Sequence, residues 1–137
     1  MATLEGKHIL LIDDDETIIT PFQLILQDIG YQVDTALTGQ QAIEKAREKD
    51  YQMAILDIKL PDIGGVEVAR KIREQQGDIH FIIISGYPEL ADSIEAIDVG
   101  IDEILLKPIR PDELLRAVKD SIAEPEKVSK SEVVIQP

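Results

Sequence analysis

Five residues of this 137-residue chain stand out for their chemistry: Asp13 and Asp14 in HILLIDDDE, Asp57 in MAILDIKLPD, Ser85 in HFIIISGY and Lys107 in DEILLKP. Two carboxylates about 4 Å apart repel by roughly 4 kcal/mol at an effective dielectric of about 20. That repulsion equals about three pKa units, so one acid of such a pair tends to hold a proton. A bound divalent cation removes the conflict. The acidic donors are all oxygen, with no His or Cys in the set, which favours Mg²⁺ or a similar hard ion. A carboxylate, Mg²⁺, a hydroxyl and a lysine together suit phosphoryl transfer, because the cations neutralise charge on the transferring oxygens. A carboxylate can itself be the nucleophile and yield an acyl phosphate.

The elements around these residues bring them together. HILLI (8–12), MAIL (53–56), HFIIIS (80–85) and DEILLK (102–107) read as buried strands, and YQVDTA (31–36) as a more exposed one. Between them lie helical stretches. Residues 16–29 place Ile18, Phe22, Ile25 and Ile29 at helical spacing, with Gly30 as a stop. Thr38 can cap a helix to about Lys49. Residues 66–76 point Val66, Ala69 and Ile72 inward, and residues 89–98 align Leu90, Ile94 and Ile97. Pro111 opens a last helix lined by Leu114, Leu115, Val118 and Ile122. Pro21 sits inside the first helix, which therefore either starts near Thr20 or bends.

Five strands alternating with five helices predict right-handed crossovers and a parallel sheet covered on both faces. The near-continuous apolar strands agree. The C-terminal ends of parallel strands form one rim, where open α/β sheets bind ligands. The acidic pair Asp13 and Asp14, then Asp57, Ser85 and Lys107, each end a different strand, so they converge there. Asp57, ending a strand between the acidic pair and the hydroxyl, is the best candidate nucleophile. Asp15 plays a different part. It can cap the first helix, whose dipole also favours Glu16 in the first turn.

Composition narrows the class. The length suits one domain, spanning residues 1–124, with 125–137 (PEKVSKSEVVIQP, lacking the strand–helix pattern) reading as a tail or a truncated linker. No apolar run is long enough to cross a membrane, and MATLEGKH lacks the layout of a secretory signal. Cysteine is absent, so no disulfide or thiol chemistry is available. A cytoplasmic protein fits these features. Acidic residues outnumber basic ones 27 to 14, a formal charge of −13, which argues against direct nucleic-acid binding. Most of those charges serve solubility.

LLIDDDE, AILDIKLPDIGG, FIIISGY and ILLKP resemble, in order and spacing, the receiver domain of two-component response regulators. The resemblance covers about residues 7–123. It implies a flavodoxin-like (βα)5 three-layer α/β sandwich with strand order 2-1-3-4-5. It implies that Asp57 accepts a phosphoryl group from a phosphohistidine on a sensor histidine kinase or a phosphotransfer protein. Asp14 and Asp57 would bind Mg²⁺ directly with the backbone carbonyl of Lys59, and Asp13 mainly through a metal-bound water. Ser85 matches the switch hydroxyl, followed by Gly86 in the switch loop. Lys107 matches the lysine that contacts the phosphoryl group, and its bond to Pro108 is expected to be cis. The partners implied are the phosphodonor and a downstream protein, or an output domain absent from this chain. A phosphorylation-dependent homodimer is also compatible.

The sequence departs from the family pattern at two positions. Ile104 stands where an aromatic commonly couples to the switch hydroxyl. Gly64 replaces a frequent Asp, a change read as turn chemistry. Lys59 puts a charged side chain near the site, where an effect on the lifetime of the phosphorylated form is expected. Tyr87, two residues past Ser85, reads as a surface residue, with a gate to the site as the alternative. His8 and His80 begin strands, so both belong to the opposite rim. Two other functions fit the fold. A flavin or nucleotide carrier would need a phosphate-cradling loop where DDDE stands. A metal-dependent aspartyl phosphatase usually has an acid where Lys59 stands.

Overall fold

Continuous apolar strands need cover on both faces, and the chain supplies it. In the computed structural model, which describes residues 7–87 and 99–123, β1 (His8–Ile12), β3 (Met53–Asp57) and β4 (His80–Ser85) bury every residue except the half-buried His8 and His80. β2 (Gln32–Ala36) and β5 (Glu103–Leu106) form the edges and carry mixed burial. All neighbours pair in parallel, in the order β2-β1-β3-β4-β5. This is the flavodoxin-like arrangement expected from the sequence.

Strand periodicity of two divides the core into two layers. Leu10, Ile12, Leu56, Phe81 and Ile83 face α2 (Gly39–Glu48) and α3 (Gly65–Gln75). Ile9, Leu11, Ile55, Ile82 and Ile84 face α1 (Glu16–Asp28) and α4 (Pro111–Ala123). Burying one such side chain contributes about 2 kcal/mol, so the strand ends sit on the most heavily stabilised part of the molecule. The expected helix over residues 89–98 and the tail over 125–137 lie outside the described residues.

Helix boundaries follow local chemistry. Asp15 caps α1, its carboxylate accepting from the Thr17 N–H (2.9 Å) and hydroxyl (2.6 Å). At the other end Gly30 takes a φ of 110°, and the Gly30 and Tyr31 N–H groups close back on Gln27 and Leu26 carbonyls, a Schellman ending. Thr38 accepts from Gln41 N–H at the start of α2, while the Gln41 side chain accepts from Leu37 N–H. Pro21 lies within α1, which begins at Glu16 and continues through it, so a start near Thr20 is excluded.

One inward stripe differs from expectation. α1 buries Ile19, Phe22 and Leu26, whereas Ile18, Ile25 and Ile29 are partly buried flanks. The helix is so apolar that two neighbouring stripes satisfy the same spacing, and packing against β1 and β2 selects between them. α3 similarly centres on Val68, Ala69 and Ile72, with Val66 at the margin.

The chain leaves β1 toward β2 on one side and then crosses to β3 on the other. This reversal opens a crevice between the C-terminal ends of β1 and β3, the usual ligand position in such sheets. The ladder continues past the strand ends. Asp13 N–H donates to Ala36 O (3.1 Å), Ile58 N–H to Ile84 O (3.0 Å) and Lys107 N–H to Ser85 O (2.8 Å). The rim residues are therefore fixed by sheet hydrogen bonds.

Candidate functional site

Asp13, Asp14 and Asp57 each place a carboxylate oxygen within 4.8 Å of the other two. Asp13 and Asp57 are buried, and Asp14 is exposed. Asp57 Oδ1 accepts from Lys59 N–H (3.2 Å), and its Oδ2 accepts from Lys107 Nζ (3.3 Å). Asp13 Oδ1 accepts from Asp15 N–H (2.9 Å). Asp13 Oδ2 is buried and has no hydrogen-bond partner among the described residues, although Lys107 Nζ lies 3.3 Å away. That contact is an ion pair without hydrogen-bond alignment.

The electrostatics match the crowding of charge. Burial, reinforced by the Asp57 charge, raises the Asp13 pKa from an ordinary 3.8 to about 6, against the lowering effect of the Asp15 N–H and Lys107. Burial pulls the Lys107 pKa down, but the Asp13 and Asp57 carboxylates outweigh it and leave the ammonium above its ordinary value. Asp15 behaves differently. Its hydrogen bonds from Thr17 hold it below the usual carboxylate range.

A hard divalent cation fits this donor set. Three carboxylates converge, the donors are all oxygen, and one buried oxygen is left without a hydrogen bond among the described residues. Asp13 Oδ2, buried and offset only by the Lys107 ion pair, carries a desolvation cost that a further cation would relieve.

The remaining rim residues surround the cluster. Ser85 is wholly buried, and its hydroxyl stays within its own loop, accepting from Tyr87 N–H (2.9 Å) and donating to Tyr87 O (3.3 Å). Its bonds among the described residues do not include Asp57. Lys59 directs its ammonium over the Tyr87 ring at 4.7 Å, linking the loops after β3 and β4, while Tyr87 is exposed at the surface. Gly86 is exposed, and no described residue comes within 4 Å of its Cβ position. The Lys107–Pro108 bond is cis. Ile104 packs against the α2/α3 layer. His8 and His80 stand at strand starts, on the rim opposite Asp57.

Two residues at this site were not singled out in the sequence. A Cβ on Gly65 would lie 2.4 Å from the Asp57 carbonyl oxygen and 2.7 Å from Ile58 Cα. Gly65 also donates its N–H to Ile58 O (2.8 Å). The first turn of α3 thus presses on the backbone of Asp57, and no side chain fits between. Gly64 is the less constrained of the pair, with a φ of −62° and nothing within 4 Å of its Cβ position. The second residue is Asp62, whose carboxylate accepts from Gly39 N–H (2.8 Å) and Gln40 N–H (2.9 Å). The signal for Gly65 was the paired glycine at a helix start. Asp62 carried no local signal, since its partners lie 23 and 22 residues away.

Comparison with known proteins agrees with this geometry. Residues 9–119 match the family described as the response regulator receiver domain. The chain is 33% identical over 114 residues to the alkaline phosphatase synthesis transcriptional regulatory protein PhoP of Bacillus subtilis (strain 168), covering 83% of this chain and 48% of that protein. A CheY-like receiver domain protein from Methanospirillum hungatei JF-1 superposes with a TM-score of 0.82 at 34% identity, covering 88% of this chain and 97% of that one. The response regulator TrrA of Thermotoga maritima, solved in complex with Mg²⁺–BeF, has a TM-score of 0.74 at 36% identity, covering 83% of this chain and 97% of that one. The chain belongs to the receiver-domain family of two-component response regulators, whose domains are phosphorylation-dependent regulatory switches. The flavin-carrier and phosphatase readings gain no support. The chain spans about half the length of the curated relatives it matches.

Proposed function

We propose that Asp57 is the phosphoryl acceptor, supplied by a phosphohistidine on a sensor histidine kinase or a phosphotransfer protein. One observation carries this reading: Asp57 ends a central strand with Lys107 Nζ 3.3 Å from its Oδ2 and the Asp13 and Asp14 oxygens within 4.8 Å. An Asp57 oxygen attacks phosphorus, the donor's P–N bond breaks, and the imidazole, already protonated on its other ring nitrogen, leaves as the neutral ring with the electron pair. Lys107 meets the charge gathering on the phosphoryl oxygens. Asp13, Asp14, Asp57 and the Lys59 carbonyl would hold Mg²⁺, which supplies the remaining charge neutralisation. The Mg²⁺–BeF complex of the Thermotoga relative supports that choice of ion.

Ser85 then leaves the Tyr87 backbone and bonds the phosphoryl group, carrying the loop after β4 with it. Ile104 contributes no ring, so switching rests on the Ser85 loop. The altered face around β5 and α4 changes its preference for a downstream protein, an output domain or a second copy of the chain. The chain acts as a regulatory acceptor and catalyses at most its own phosphorylation and dephosphorylation. We place the exchange in the cytoplasm, where ATP-dependent kinases work. Among the described residues no helix is long and apolar enough to cross a membrane.

Two neighbouring aspartates separate metal binding from folding. Asp14→Ala is expected to abolish Mg²⁺-dependent loading from acetyl phosphate, read by intact mass, with little change in melting temperature. Asp15→Ala should lower the melting temperature through loss of the α1 cap and leave loading intact. Equal loss of loading in both variants contradicts the division.

A further inference from the structure

We infer that Asp62 is a positioning residue for the proposed metal site: its carboxylate clamps the loop between β3 and α3 onto the N-terminus of α2 and so fixes the Lys59 carbonyl. This role rests on the reading of the site given above.

The loop after β3 needs an external anchor. Its base is closed by two hydrogen bonds, Ile58 N–H to Ile84 O (3.0 Å) and Gly65 N–H to Ile58 O (2.8 Å). The six residues between include Lys59, whose carbonyl is the one non-carboxylate ligand in the proposed set. Backbone carbonyls of a loop are held in direction only if the loop itself is held. At its apex Asp62 supplies that hold, with one carboxylate oxygen on each of Gly39 N–H (2.8 Å) and Gln40 N–H (2.9 Å). These are free N–H groups of a helix start, where the dipole also favours an anion. The same bonds keep the Asp62 carboxyl below the usual range.

Packing makes the clamp close-fitting. A Cβ on Gly39 would lie 2.7 Å from Val68 Cγ2 and 3.1 Å from Ile63 Cβ. The first turn of α2 is therefore seated directly on the loop and on α3. Leu60 and Ile63 pack from the loop onto the α2/α3 core layer. α2 already has a cap of its own, because Thr38 serves Gln41 N–H (3.1 Å). Asp62 thus adds a tie between two elements to a helix end that is already capped.

The two caps give a matched test. Mg²⁺ is titrated calorimetrically into the wild type, Asp62→Ala, Asp62→Asn and Thr38→Ala at high ionic strength, where the exposed Asp62 charge is screened. Loss of a residue that orients metal ligands typically weakens affinity by about 10-fold or more. Asp62→Ala should show that loss, and Asp62→Asn, with one acceptor oxygen left, a smaller one. Thr38→Ala should lower the melting temperature and leave Mg²⁺ affinity unchanged. Unchanged affinity in Asp62→Ala, or in Asp62→Asn if the alanine variant does not fold, overturns the role. So does an equal loss in Thr38→Ala, which would mark general loosening. Absence of Mg²⁺ binding by the wild type would instead overturn the metal site itself.

Discussion

Gly65→Ala should be among the most damaging single-methyl changes in the molecule. The new Cβ would fall 2.4 Å from the Asp57 carbonyl oxygen and 2.7 Å from Ile58 Cα, both backbone atoms at a buried strand end. Neither can move like the tip of a flexible side chain. Overpacking of this kind costs about 1–3 kcal/mol, and contact with backbone places this site at about 3 kcal/mol. The strain also reaches function, because the clash falls on the backbone of Asp57, whose carboxylate faces Lys107. Urea unfolding should show the lost stability, and the folded fraction should load slowly from acetyl phosphate. Gly64→Ala provides the control. Its φ of −62° suits alanine and its Cβ position is open, so a change within about 0.5 kcal/mol is expected. Similar behaviour of the two glycine variants would contradict the geometry.

Asp13→Asn should strengthen the metal-free fold and weaken Mg²⁺ binding. Asp13 is buried, its Oδ2 lacks a hydrogen bond among the described residues, and its pKa rises from 3.8 to about 6. Between those values the folded state holds the proton more tightly than the unfolded state does. Linkage then makes stability fall as pH rises from about 4 to about 6, and level off above. The buried Asp13 charge therefore opposes folding at neutral pH when no metal is bound. Asparagine removes the buried charge but brings a new amide and loses the attraction of Lys107, so a gain of about 1–2 kcal/mol is expected at pH 7. Asp15, Asp34, Asp62 and Asp112 have lowered pKa values and stabilise in the opposite sense, as pH rises through the acid range. The difference between wild type and variant cancels them. Urea unfolding in EDTA from pH 4 to 8 measures it. A variant less stable than wild type at neutral pH would contradict this reading of Asp13.

Legibility of the fold depended on how local its causes were. HILLI and HFIIIS matched β1 and β4 residue for residue, because in each an unbroken apolar run is bounded by polar residues, whereas β3 runs one residue past MAIL to include Asp57. Asp15, Thr38 and Gly30 act within a few residues of themselves, and all three hold the helix ends expected of them. The α1 stripe was ambiguous because Leu24, Ile25 and Leu26 are consecutive, and packing decides which of them turns inward. Leu26 is buried and Leu24 is exposed.

The site divides along the same line. Parallel topology carries Asp13, Asp57, Ser85 and Lys107 to one rim, so strand ends alone revealed them. What stayed hidden depends on contacts across the chain. The Asp62 clamp joins α2 to a loop more than twenty residues later, and Gly65 matters because of the backbone it touches. The hold of Tyr87 N–H on Ser85 is short in sequence, yet it depends on a loop conformation that strand periodicity does not determine.

Phosphorylation at Asp57 is the central claim, and mass measurement addresses it directly. Wild type and Asp57→Asn are incubated with acetyl phosphate, with Mg²⁺ and with EDTA, then read by intact mass and peptide mapping. One phosphoryl group is predicted on wild type, located at Asp57, dependent on Mg²⁺ and absent from Asp57→Asn. No adduct on wild type, or an undiminished adduct on Asp57→Asn, would contradict the claim.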